Sequence, residues 1–185
     1  SIAWRSILRL QQIYPNEVGE ICNRIGLPQK ILLNQNLTLP IEMFLNFFIQ
    51  AESVFDDELI SINYSRMAQI RPNYAELLGL IFLYSRNMKE SFKLLQRYIN
   101  IELEGINVLV TKHQDIVKIQ FIADSVIEYP SLYENLCLSM LAAFIRSKRY
   151  AIKHITTKIQ PSNKSINKKS VFNCPINFNG TETSI

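Results

Sequence analysis

Residues 87–122 read NMKESFKLLQRYINIELEGINVLVTKHQDIVKIQFI, and a change of hydrophobic period inside this stretch sets the fold class. Asn87 and Glu90 stand at capping-box spacing, with Asn in place of the more usual Ser or Thr. Met88, Phe92, Leu95 and Ile99 then recur at helical intervals along one face, which Leu94 and Tyr98 widen. After that the period shortens to two. Ile106, Val108 and Val110 alternate with Asn107, Leu109 and Thr111, and beyond Lys112-His113-Gln114-Asp115 the alternation resumes as Val117, Ile119 and Phe121 against Lys118 and Gln120. The pattern predicts a helix followed by an antiparallel hairpin over about 101–122. A lone hairpin is marginal in water, so helices must cover its apolar face.

Working outward, 185 residues at 48% hydrophobic content suffice for one domain with a sizeable core, burying roughly 70% of the unfolded surface. The net charge of +4 is a small excess, and its basic blocks gather near the C-terminal end, so charge alone does not indicate nucleic acid. Cys22, Cys137 and Cys174 are odd in number and lack CxxC spacing, and two of them fall on apolar helical faces. That pattern fits buried free thiols in a reducing compartment. The longest clean apolar run, Leu77 to Tyr84, falls far short of the ~20 residues of a membrane-spanning helix. No signal-peptide pattern opens the chain either, so a cytoplasmic protein without membrane partners is expected.

Upstream, Ile2 to Ile13 reads as a helix with Trp4, Ile7, Leu8 and Gln11 on one side, ended by Tyr14-Pro15. Glu17 to Ile25 follows, with Val18, Ile21, Cys22 and Ile25 facing inward and Gly26 in the C′ position. Cys22 and Gly26 resemble the turn of a helix-turn-helix. The segment after it, Gln29 to Asn34, is barely two turns and offers Lys30 alone as a cation, which favours a packing helix over a DNA reader. Pro40 at N1 opens a third helix to about Phe55, striped with Phe44, Leu45, Phe48, Ala51 and Phe55. Within 59–73, Leu59, Ile60 and Ile62 could start a strand or a short helix, and Arg66, Arg71 and Pro72 suggest a turn. Tyr74 to Tyr84 reads as a buried helix in which Gly79 permits close approach of another backbone. Downstream, Ser131 and Glu134 form a capping box opening the longest helix, with Tyr133, Leu136, Cys137, Met140, Phe144 and Ile145 along one side. Arg146, Lys148 and Arg149 close it, complementing the helix dipole. A strand over Ile155, Thr157 and Ile159, a lysine-rich helix from Ser162 to Val171, an Asn179-Gly180 turn and a final strand from Thr181 complete the chain.

Catalytic chemistry has no foothold in this pattern. His113 and His154 have no carboxylate or cysteine at metal spacing. Glu52, Asp56, Asp57 and Glu58 cluster without EF-hand spacing and read as a solvated loop. No nucleophile elbow, phosphate loop or dinucleotide fingerprint is present, so no enzyme, metal or cofactor is expected.

The tail from Ile155, with Thr157-Lys158-Ile159-Gln160-Pro161 and then Phe172-Asn173-Cys174-Pro175-Ile176-Asn177-Phe178-Asn179, resembles the end of one kind of regulatory domain. It looks like the strand, turn, helix and Phe-Pro segment that closes the N-terminal, so-called arabinose-binding domain of the ornithine-regulator branch of AraC-type transcriptional regulators. Gly79-Leu80, Ser85 to Ser91 and Tyr98 are similar to the family's central run, and Ile25-Gly26-Leu27-Pro28 to its early Gly-Leu turn. The likeness spans nearly the whole chain and consists of structural punctuation. Asp57 is followed by Glu58-Leu59-Ile60 where the family often has Gly-Leu, so the shape after it is expected to differ.

The resemblance implies an α+β effector-binding and dimerising domain over 1–185, helix-rich with a small antiparallel sheet covered by helices. The family's helix-turn-helix DNA-binding domain is absent from this chain. The implied partners are a small-molecule effector, a second copy of the chain, and DNA through that missing domain. Polar residues on apolar faces, Tyr84, Arg97, Tyr98 and Tyr133, become ligand-binding candidates, each with a plain core or rim role as its alternative. For the dimer, the second flank of the longest helix offers Leu132, Leu138 and Ala142, which could equally pack beneath a neighbouring helix. The competing functions are an interaction module without a small ligand, and direct DNA binding through Arg146 to Arg149 with Lys164, Lys168 and Lys169.

Overall fold

The structure is a computed structural model that describes residues 2–33, 40–70, 77–160 and 174–185, with side chains from Ile7 onward except at residue 102. Its centre is the predicted helix and hairpin. Helix α6, Met88–Glu102, begins at Asn87, whose side-chain oxygen accepts from the Glu90 N–H at 3.0 Å. Glu90 reaches back to the Arg86 N–H at 2.7 Å, one residue earlier than a standard capping box. Phe92, Leu95 and Ile99 are buried, and Met88, Leu94 and Tyr98 half-buried, so the predicted face is the core face. Gly105, at φ +71, turns the chain into strand β1, Ile106–His113, which pairs antiparallel with β2, Ile116–Ala123. The hairpin is tighter than expected. It spans 106–123 around a two-residue turn, Gln114-Asp115, because Gln114 adopts φ +53 and lets pairing run on to His113 and Ile116.

The hairpin is one side of a mixed sheet of order β1-β2-β5-β3-β4, whose other strands are short: β3 Ile155–Thr156, β4 Ile176–Asn177 and β5 Thr183–Ser184. The expectation of a purely antiparallel sheet is corrected by the parallel pairing of β3 with β4. The strand expected through Ile159 stops at Thr156, yet Ile155 and Thr157 are buried as its alternation required. β5 enters between β2 and β3, with mutual hydrogen bonds of 2.9 Å between Ile119 and Ile185. The Asn179-Gly180 turn that delivers β5 has Asn179 at φ +57, and a Cβ on Gly180 would lie 2.4 Å from the Thr156 methyl.

Helices α6 and α7 (Pro130–Ser147) cover one face of this sheet, where Ile106, Ile119 and Phe121 are buried. Helix α7 is buried along most of its length and carries α4, Ile60–Met67, on a second flank. This helix resolves the uncertain stretch after Asp57, whose carboxylate accepts from the N–H of the N-cap residue Leu59 at 2.9 Å and from the Asn63 side chain at 2.6 Å. Helices α1 (Ile2–Ile13), α2 (Pro15–Arg24) and α3 (Ile41–Val54), with a 3-10 turn at Gln29–Leu33, complete the far side. Gly26, at φ +70, closes α2 as predicted, while Pro15 opens it at N1 and Pro40 takes the N-cap position of α3 instead of N1. Edge-to-face rings join these layers: Phe48 with Tyr64 at 4.7 Å between α3 and α4, and Phe82 with Phe92 at 6.2 Å between α5 (Leu77–Tyr84) and α6.

Two expectations about α7 are corrected. Its N-cap is Tyr129 with no side-chain cap bond, so Ser131 and Glu134 do not form a capping box. Glu134 instead turns inward, accepting from the Ala123 N–H at 3.1 Å and pairing with Lys158 at 2.9 Å. Leu138 and Ala142 are fully buried in the chain's own core, so the packing alternative holds for them; Leu132 is half-buried. The lysine-rich helix expected over 162–171, and with it Lys164, Lys168 and Lys169, lies outside the described residues, as do the first residues of the helix expected from Tyr74.

Candidate functional site

Where the hairpin tip projects past the covering helices, the fold leaves a cleft of about 540 Å³, within the range of small-molecule sites. Met88 and Phe92 from the first turns of α6 form one wall, and Ile119 of β2, Ile145 of α7 and Ile185 the floor. The hairpin tip contributes Thr111, His113, Asp115, Ile116, Val117 and Lys118. A strap, residues 150–154, forms the opposite rim. Its course follows from the end of α7, where Arg149 at φ +63 reverses the chain and the Tyr150 N–H bonds back to the Ile145 carbonyl at 3.3 Å. Lys148 anchors that corner by donating to the Leu83 carbonyl at 3.1 Å, a cation on the final turn of α5.

Part of the apolar lining is buried, while the charged and imidazole side chains of the lining are exposed, Lys118 partly so. Phe92, Ile119 and Ile145 are each less than a tenth exposed, whereas Ile116 and Val117 at the tip are exposed. Lys118 forms an ion pair with Glu182, and this neighbour holds the Glu182 carboxyl below its ordinary value. Lys153, His113 and His154 also line the cleft, with Asp115 as the acidic residue of the lining.

A second polar group lies buried beside the cleft, between α7 and the C-terminal strands. Thr157 donates to the Asn135 side-chain oxygen at 2.8 Å and accepts from the Ile159 N–H at 3.2 Å, next to the Glu134 and Lys158 pair. These bonds fasten the segment after β3 to α7, and they read as structural. No group of His, Cys, Asp and Glu with metal-holding geometry occurs among the described residues.

The four sequence-derived ligand candidates are not brought together. Tyr133 is a buried spacer: its hydroxyl donates to the Glu104 carbonyl at 3.0 Å, and burial pushes the phenol far above its ordinary value. Arg97 lies over the ring of half-buried Tyr98 at 5.3 Å on the surface of α6, and Tyr84 is exposed at the end of α5. None of the four lines the cleft. The residues that do line it come from five separated segments, and in the sequence His113, Lys118 and His154 carry no mark beyond polarity on a strand or turn.

The fold is thus a helix-rich α+β domain with a small mixed sheet and a ligand-sized cleft. The chain belongs to the family of the arabinose-binding domain of AraC transcription regulators, N-terminal, whose family model matches residues 17–185. Its fold is similar to that of the transcriptional regulator CdpR from Pseudomonas aeruginosa, with a TM-score of 0.52 at 15% identity, over 84% of this chain and 51% of that one. The chain thus spans about half the length of that regulator. No curated protein matches the sequence.

Proposed function

We propose that this chain is the effector-sensing domain of a cytoplasmic AraC-type regulator, that a small molecule occupies the cleft, and that occupancy controls DNA binding by a further domain following Ile185. The observation that carries this reading is the position of β5. Ile185 is at once part of the cleft floor and hydrogen-bonded to Ile119, so a ligand touching the floor touches the segment that leads onward. A ligand can shift a regulator only through such differential contact. The test is a thermal-shift screen of small metabolites, in which a ligand at 100-fold its dissociation constant stabilises by ~2.7 kcal/mol. Val117→Asp, at an exposed wall position, should abolish the shift while leaving the unliganded midpoint within about 0.5 kcal/mol. A shift that survives Val117→Asp would place the ligand elsewhere.

Self-association is a second reading, supported by a different surface from the one the sequence suggested. Leu80, Leu83 and Tyr84 lie on one face of α5, at 49%, 40% and 81% exposure. We infer that this face is the contact of a homodimer. Leu83→Glu should then yield a monomer in sedimentation; an unchanged sedimentation coefficient would remove the contact.

A further inference from the structure

We propose that the free edge of β1 is a docking site for an extended segment of another protein, one in which acidic and apolar residues alternate. The two edges of the sheet are unlike. β4 is an edge of two residues, whereas β1 presents eight, contains no proline, and pairs with β2 in continuous register from Ile106 to His113 without a bulge. A long, regular edge invites strand addition, and folds commonly blunt such edges with prolines, bulges or short strands. The outward groups follow from the register. The Asp124 N–H bonds to the Gly105 carbonyl at 2.8 Å, so β1 and β2 exchange hydrogen bonds at Asn107, Leu109, Thr111 and His113, and the N–H and C=O groups of Ile106, Val108, Val110 and Lys112 point off the sheet. Gln96 of α6 donates to the Val108 carbonyl at 3.3 Å, an exposed contact that an incoming strand can displace.

The flanks of the edge decide the partner's sequence, because an added strand turns alternate side chains to the two faces of the sheet. On the face away from α6, Leu109 and Ile122 are diagonal neighbours at 45% and 42% exposure, and apolar residues of the partner find contact there. On the other face, the Gln96 bond fixes which flank of α6 borders the edge, and Lys89 and Lys93 share that flank at helical spacing. Since α6 and β1 run in opposite directions through the Gly105 turn, these lysines overhang the 110–112 end of the edge. Both are exposed, and neither forms an ion pair among the described residues. Nearby acids do not cancel them. Glu90 is turned to the Arg86 N–H, and Asp115 at the hairpin tip is offset by Lys112 of the strand itself. Glu104 stands exposed at the opposite end of β1, so the partner's acids belong towards Lys112. The backbone bonds hold the added strand, and the exposed charges select it.

The experiment titrates the isotope-labelled chain with a blocked peptide of alternating glutamate and valine, and with its lysine-valine counterpart, reading amide exchange by NMR and affinity by fluorescence anisotropy. The glutamate peptide should slow exchange at Val108, Val110 and Lys112 and leave Leu109 and Thr111, already bonded to β2, as they were. Lys89→Gln and Lys93→Gln should each weaken it roughly two- to fivefold, and Lys89→Glu with Lys93→Glu should reverse the preference in favour of the lysine peptide. Val110→Pro removes an outward N–H at an edge position, where proline is tolerated, and should abolish binding of either peptide. Equal affinity for the two peptides in the unsubstituted chain would overturn the acidic partner, and binding that survives Val110→Pro would overturn the edge as the site. Self-association of the chain lost in Val110→Pro would assign the edge to a second copy. Binding of a short DNA duplex through Lys89 and Lys93, without a response to either peptide, would assign the lysines to nucleic acid, and either result would overturn the proposal.

Discussion

Glu182 and Glu52 show how two carboxylates on one fold acquire opposite relations to stability. At Glu182 the Lys118 ammonium, helped by the Ser184 hydroxyl, outweighs the cost of partial burial and lowers the carboxyl from its ordinary 4.5. The folded state then binds the Glu182 proton less tightly than the unfolded state. Its stabilisation is complete above pH 4.5 and is lost as pH falls through the lower folded value. At Glu52 burial comes first, then the charges of Glu58 and Asp57, and all three raise the carboxyl above 4.5. The folded state holds that proton more tightly, so the stability gained at low pH is lost as pH rises through the folded value. Urea midpoints against pH should therefore separate the two variants. Glu182→Gln should lower stability at pH 7 and flatten its acid decline below pH 4.5, whereas Glu52→Gln should leave pH 7 stability equal or higher. Matching profiles for the two variants would contradict the assignment.

At the scale of elements, the contact between α4 and α7 rests on a buried pair of serines. Ser139 of α7 donates to the Ile62 carbonyl at 2.7 Å and accepts from the Ser65 N–H at 3.0 Å, with the two serine hydroxyls 2.9 Å apart. Ser139→Ala should cost about 1–3 kcal/mol by leaving the buried Ser65 hydroxyl without that partner, and Ser65→Ala with Ser139→Ala should cost less than the two separately. Additive losses in chemical unfolding would mean that the hydroxyls do not depend on one another. The same contact shows why α4 was not legible: its buried face mixes Ser61 and Ser65 with Ile60, Ile62 and Tyr64, so apolar periodicity fails, and Ser65 finds its partner 74 residues away. Where chemistry is local, reading succeeded. Asn87 and Glu90 cap α6 because nothing distant competes for them, and Gly26 ends α2 because φ +70 is a property of the turn itself. Ser131 and Glu134 carry a like spacing, yet Glu134 is taken by Ala123 and Lys158 across the fold. The cleft was illegible for that reason too, since its walls meet only after β5 has threaded between β2 and β3.

Over the whole molecule, α7 is the shared member of two assemblies. Through α4 it joins the layer of α1, α2 and α3, and through β2 and β5 it joins the sheet. With neither side able to cover α7 alone, the chain should unfold as one cooperative unit. Its cysteines are placed to test this: Cys22 lies in α2, Cys137 in α7 and Cys174 beside β4, all buried and in no disulfide. Burial pushes the Cys22 thiol up to about 11 and raises Cys137 further, so neither forms thiolate at neutral pH while folded, and alkylation requires unfolding. Brief iodoacetamide pulses across a urea series, read by peptide mass spectrometry, should label none of the three in the native state and give all three one midpoint. Leu138→Glu should move those midpoints down together by several kcal/mol, since Leu138 is fully buried and the new charge would have no partner there. Labelling of Cys22 at lower urea than Cys174 would show instead that the helical layer opens independently, and that α7 does not transmit stability between the far helices and the sheet that holds the cleft.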